Sequence, residues 1–113
     1  MNEQSDVLAA HLAPYRVSPG IVAALLISRD GFVVAADAEP DVAVEAVAAQ
    51  AAGVIDISAR LAAELGQREA KFISVEFDGL NIVLAPFGAE LMLALVGRPD
   101  TLTCDYRLAD GGG

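Results

Sequence analysis

Apolar residues run without interruption from Ile21 to Ile27, pause at Ser28-Arg29-Asp30-Gly31 and resume at Phe32-Val33-Val34-Ala35. Two apolar runs joined by a short Asp-Gly turn are the strongest local hairpin signal a sequence carries, and they predict strands at residues 21–28 and 32–36. The expected turn is Asp30-Gly31 in a two-residue type I′ loop. There both central residues need positive φ, which glycine accepts without a Cβ clash and Asp tolerates better than most. The first run is too continuously apolar for a one-sided edge strand. It is expected in the sheet interior, covered on both faces.

Before this hairpin, Ser5-Asp6 can cap a short helix over residues 7–13, with Leu8 and Leu12 on one face and Pro14 helping to end it. Residues 15–20 then read as a loop rich in turn formers. After the hairpin, Pro40-Asp41 opens the longest regular segment, a helix predicted over residues 41–65 with Gly66 just past its end. At ~100° per residue its apolar face carries Val44, Val47, Ala51, Val54, Ile55, Leu61, Ala62 and Leu65, which should cover the sheet. Val42, Ala46, Ala49, Gly53, Asp56 and Arg60 form a second, heptad-like stripe of mostly small residues that would let another helix approach closely. Gly53 within a helix costs about 1 kcal/mol relative to alanine and asks for a compensating contact. The simpler reading is a solvated face with Asp56, Arg60 and Glu64 as ordinary i,i+4 pairs.

Beyond Gln67 the period becomes two. Ile73, Val75 and Phe77 alternate with Phe72, Ser74 and Glu76. A second turn at Asp78-Gly79, a strand over 80–85, a turn at Pro86-Phe87-Gly88-Ala89 and a strand over 90–96 complete an antiparallel meander. The strand over 71–77 reads as an edge, which needs protection or a partner. Leu102, Cys104, Tyr106 and Leu108 alternate and suggest a short extended segment, with residues 110–113 frayed.

Composition narrows the function classes. The 113 residues suit a single domain, residues 1–113, with its ordered core at about 7–97 and a tail at 98–113. A net charge of −9, from seven Lys plus Arg against sixteen Asp plus Glu, argues against binding nucleic acid or an anionic membrane. The apolar content is high at 55%, yet Glu45, Asp56 and Glu64 interrupt the alanine-rich segment, so no bilayer span is expected. The start of the chain is acidic rather than signal-like, and Cys104 has no second cysteine to pair with. Both point to a cytoplasmic protein. No nucleophile with its base, metal cluster or phosphate-cradling glycine loop is visible, so no catalytic, metal or cofactor-binding residue is assigned. His11 stands without a second ligand in sight and reads as a surface or packing residue.

The order helix, two strands, long helix, three strands carries its own signature. An apolar strand running into Ser28-Arg29-Asp30-Gly31-Phe32-Val33-Val34-Ala35, an alanine-rich helix ending near Leu61-Ala62-Ala63-Glu64-Leu65-Gly66, and the last two strands together resemble the Roadblock family. That family includes dynein light chains and bacterial regulators of small Ras-like GTPases. The resemblance covers about residues 7–97 and implies an α+β fold with a five-stranded, mainly antiparallel sheet and one short and one long helix. It also implies a homodimer in which the long helices lie together and the third strands pair into one continuous sheet. On this sequence that places the dimer contact at Ala46, Ala49, Gly53, Ile57, Phe72, Ser74 and Glu76.

By the same resemblance the expected function is a homodimeric regulator or partner of a small Ras-like GTPase. The alternatives are a non-catalytic adaptor in a signalling or motor assembly, where a sensor kinase or other scaffold component would be a further partner, and a small-molecule sensor domain. Arg29, Arg60, Arg68 and Arg98 are available to stabilise charge on a transferred phosphoryl group, but none has a setting that marks it as such a finger. The sequence after the last strand does not predict the C-terminal helix that many members carry.

Overall fold

The computed structural model describes residues 10–99; the expected helix start at residues 7–9 and the alternating segment at 102–108 lie outside them. The first strand is the most deeply buried element. Ile21–Ser28 forms β1, with Ala23 to Ile27 fully buried. It pairs antiparallel with Val33–Ala38 (β2) on one side and Leu91–Gly97 (β5) on the other. Asn81–Phe87 (β4) pairs with β5, and Ile73–Glu76 (β3) pairs with β4, all antiparallel. The sheet order is β2-β1-β5-β4-β3, so β1 is interior as expected, although the middle strand is β5. The α+β architecture with a five-stranded antiparallel sheet is as the family resemblance implied.

Because side chains alternate along a strand, β1 feeds two cores. Ala24 and Leu26 join Leu12, Val83, Leu93 and Leu95 on one face, where Tyr15 of the short helix Ala13–Arg16 (α1) packs against them. Leu25 and Ile27 join Leu84, Met92, Ala94, Ala48 and Ala51 on the other face, beneath the long helix Val44–Glu64 (α2). Each fully buried leucine or isoleucine here contributes about 1.5–3 kcal/mol relative to exposure. Arg16 ties α1 to the sheet by donating to the Ile21 carbonyl (2.6 Å) and to the Asp37 carboxylate (3.1 Å).

The local departures from the sequence reading have physical causes. Pro14 is the second residue of α1 instead of ending a helix; in a first turn, where N–H groups have no intrahelical partner, its missing N–H is no loss. The first hairpin has a three-residue loop, Arg29-Asp30-Gly31, in place of the expected two-residue type I′ turn. The Gly31 N–H reaches the Ser28 carbonyl (3.0 Å), the Ser28 N–H reaches the Phe32 carbonyl (2.9 Å), and Gly31 alone in this loop has positive φ (94°). The long helix starts at Val44, not Asp41, because Pro40 sits inside a turn closed by the Val42 N–H on the Glu39 carbonyl (3.0 Å). Its end is as expected: Gly66 at φ 69° lets the Gln67 N–H reach the Ala62 carbonyl (2.8 Å) and its own N–H reach Ala63 (3.1 Å). Pro86 and Phe87 belong to β4 rather than to a turn. β3 stops at the pairing of Ile73 with Leu84, so Pro86 lies where β4 has no β3 residue to donate to.

Gly31 has a second role. A Cβ there would lie 3.2 Å from the Ala52 Cβ and 3.3 Å from the Ala49 Cα, so the bare glycine lets α2 rest on the hairpin. Gly31→Ala should therefore destabilise the fold by about 1–3 kcal/mol in urea unfolding, from positive φ and crowding together. Gly79→Ala, at a turn with neither positive φ nor atoms within 4 Å, should change stability by less than about 0.5 kcal/mol. Equal effects at the two glycines would refute this assignment.

Candidate interaction site

The long helix rests on the sheet through small residues. Ala48 and Ala51 are buried, with Val44, Val47 and Ile55 packed beside them. The expectation that Val54, Leu61 and Leu65 also cover the sheet is corrected. Leu61 is 60% exposed, and Val54 and Leu65 are exposed as well. At 3.6 residues per turn Val54 and Leu61 fall about 60–80° round the helix from Ala51, beyond the arc the sheet can reach. Leu65 lies past the last turn. By length and composition α2 could cross a bilayer, but its underside is committed to the sheet. The apolar surplus lies instead on the flank facing β3.

That flank and the strands beneath it enclose an open, apolar groove of about 330 Å³, lined by Ala46, Val47, Val54, Val75, Phe77 and Ile82 among others. Phe77 is 63% exposed, and Phe72 and Leu80 are partly exposed nearby. β3 is the last strand of the sheet, so its outer edge has no neighbouring strand among the described residues. An apolar helix flank, an apolar groove and a strand edge thus stand side by side.

The residues singled out from the family resemblance distribute around this feature. Ala46 lines the groove, Ile57 is 66% exposed above it, and Gly53 has no atom within 4 Å of where a Cβ would stand. Ala49 lies on the opposite flank, against Gly31. Ile73 packs into the core beneath α2, so by alternation Ser74 and Glu76 point to the other face of the sheet, both exposed, with Phe72 next to them. Val54, Leu61, Phe77 and Leu80 were not singled out as contact residues from sequence. The available signal was that the apolar arc of the helix was broader than one sheet face can cover. On the outer stripe, Asp56 and Arg60 form an exposed i,i+4 pair at 2.9 Å, as the solvated-face reading expects.

Little else in the described residues points to chemistry. No group of three His, Cys, Asp or Glu residues stands close enough to hold a metal ion among them. His11 packs its ring 6.2 Å from Phe87. Arg29 is not a free finger at the hairpin tip: its guanidinium grips Glu69, in the loop after α2, through two bonds of 2.9 and 3.2 Å.

With this geometry in hand, comparison with known proteins is direct. A family model described as the Roadblock/LC7 domain matches residues 10–97. The chain belongs to the Roadblock/LC7 family. No curated protein matches it in sequence. Among solved structures it is similar to Myxococcus xanthus MglB, at 14% identity and a TM-score of 0.75, covering 88% of this chain and 76% of that one. It is similar to the gliding protein MglB from Thermus thermophilus at 20% identity and a TM-score of 0.73, covering 87% and 76%. A Roadblock/LC7 domain from Streptomyces avermitilis aligns at 22% identity and a TM-score of 0.70, covering 82% and 77%. At these identities the likeness establishes the fold.

The Arg29–Glu69 pair gives this region a pH signature. The hydrogen bond from Arg29, with its positive charge, holds the Glu69 carboxyl below the usual carboxylate range. A carboxylate whose folded pKa is lowered contributes stability above its unfolded pKa and loses it as pH falls through the folded one. Both side chains are more than a third exposed, so screening limits the pair to less than about 1 kcal/mol. Glu69→Gln should therefore cost less than about 1 kcal/mol at pH 7, and the difference from the parent should vanish on acidification below the carboxylate range. A difference that persists undiminished at pH 2, followed by urea unfolding, would show that the ion pair is not its source.

Proposed function

We propose that this protein is a homodimeric regulator or partner of a small Ras-like GTPase, acting through protein–protein contacts and not as an enzyme in its own right. Membership of the Roadblock/LC7 family supports the reading, and one observation carries it: the exposed apolar flank of α2 and the groove beside it, next to β3, the last strand of the sheet among the described residues. Pairing β3 with β3 of a second copy would extend the sheet. It would also bring the two long helices side by side over the enlarged sheet, and the flanks that meet are those bearing Ala46, Gly53, Val54, Ile57 and Leu61. With the helices antiparallel and crossing near Gly53 to Ile57, Leu61 of each copy lies opposite residues 46–50 of the other, at the apolar groove. Gly53 then supplies the close approach that offsets its helical cost of about 1 kcal/mol. Ala49, on the far flank, stands at the margin of this contact.

Ile57→Glu and Gly53→Glu should both give a monomer in light scattering while circular dichroism keeps the parent spectrum. Each places a charge in the apolar seam, where an unpaired buried charge costs several kcal/mol. A parent protein that is itself monomeric, or variants that stay dimeric, would refute the seam.

Regulator and adaptor use the same fold and separate in one assay, carried out with the Ras-like GTPase encoded nearest to this protein. A rise of about tenfold or more in GTP hydrolysis at saturating protein, equivalent to about 1.4 kcal/mol in the barrier, identifies a regulator of the GTPase cycle. Stable binding of the nucleotide-loaded GTPase without a rate change identifies an adaptor, and absence of binding overturns both.

A further inference from the structure

A second groove opens on the other side of Val47, the residue it shares with the groove at the proposed seam. It has a volume of about 390 Å³ and lies where the start of α2 passes over the ends of β1 and β5. Val22, Val42, Leu80 and Val96 line it, and Val22 and Val96 are buried in its floor. Glu39, Asp41 and Arg98 stand at its rim. Three acidic side chains elsewhere meet arginines: Asp37 with Arg16, Asp56 with Arg60, Glu69 with Arg29. Among the described residues Glu39 and Asp41 have no such partner, so their charge is available at the groove.

We propose that this groove docks a segment of a different protein that presents an aliphatic side chain flanked by lysine or arginine. The floor selects the aliphatic group by burial. Two rim carboxylates, Glu39 and Asp41, against one guanidinium select the cationic flanks. Two other occupants fit less well. A second copy of this chain carries the same charge of −9 and would bring more carboxylates to an acidic rim. An anion at the start of α2, whose Ala43 cap supplies no side-chain bond, would meet the field of Glu39, Asp41 and Glu45. The proposal rests on the reading that the protein works through protein partners, but not on the dimer seam or on a GTPase.

The test is a titration of the full-length ¹⁵N-labelled protein, followed by amide chemical shifts, with the acetylated hexapeptide KKLVKK and with its acidic counterpart EELVEE. KKLVKK should shift the amides of Val22, Val42, Leu80 and Val96. Glu39→Gln combined with Asp41→Asn, both at the surface, should weaken that response about tenfold, as should about 0.5 M NaCl. EELVEE should leave these amides in place. Shifts centred on Val54, Ile57 and Leu61, an equal response to both peptides, an undiminished response in the double variant, or no shift at about 5 mM KKLVKK would each overturn the proposal. So would groove shifts that follow protein concentration without peptide, since the occupant would then be a second copy. Because the readout is local, a monomeric protein or one inert towards GTPases would leave this result interpretable.

Discussion

Burial of β1 on both faces is the constraint on which the rest of the structure depends. A strand with Ala24 and Leu26 on one side and Leu25 and Ile27 on the other cannot be satisfied by a sheet covered on a single face. It requires a layer above and a layer below, and its backbone requires a strand on either edge. Leu12 and Tyr15 supply one layer, α2 supplies the other, and β2 and β5 occupy the edges. Gly31 then sets how low α2 can sit, because a side chain there would collide with Ala49 and Ala52. The small underside of the helix, Ala48 and Ala51, fits the same close approach.

This close seating has a consequence for the surface. A helix held on a sheet by two alanines buries only a narrow arc, whereas the apolar residues of α2 extend well beyond it. Val54, Ile57, Leu61 and Leu65 are left in solvent, next to the exposed Phe77 and the short edge strand β3. Contiguous exposed apolar surface of this kind is a mark of an interaction site in soluble proteins. The exposed helix therefore links fold to proposed function: residues that do not stabilise the isolated protomer are available to hold a second one.

Electrostatics adds selectivity more than stability. Among the described residues, the Arg29–Glu69 and Arg60–Asp56 pairs are surface pairs, each worth at most about 1 kcal/mol, and the Arg16–Asp37 pair is only partly buried. The larger effect is the net charge of −9, which disfavours nucleic acids and anionic surfaces and favours partners with cationic contact faces. Around the start of α2 that charge borders an apolar groove, so attraction and burial coincide in one place.

Element identity and order were legible in the residues: the unbroken apolar run of β1, the Asp-Gly turns, the proline before α2 and the glycine after it are local signals with local causes. So was the placement of β3 at an edge, since Ser74 and Glu76 leave one of its faces polar. What sequence could not decide was how much of each apolar face finds cover. Val54 and Leu61 share the helical phase of core residues, yet they are exposed, because the width of the buried arc depends on how closely α2 approaches the sheet. That approach depends in turn on Gly31, Ala48 and Ala51 meeting across long stretches of chain. The turn at Asp30-Gly31 tells the same story: an Asp-Gly pair permits either a two- or a three-residue loop, and the bond from the Ser28 N–H to the Phe32 carbonyl closes the longer one. The Ile21–Ile27 run thus determined by itself that this protein would be a layered sheet. The exposed flank of α2, where its partners are proposed to meet it, was decided only by the packing of the layers, since periodicity records the direction of a side chain and not the distance to its neighbour.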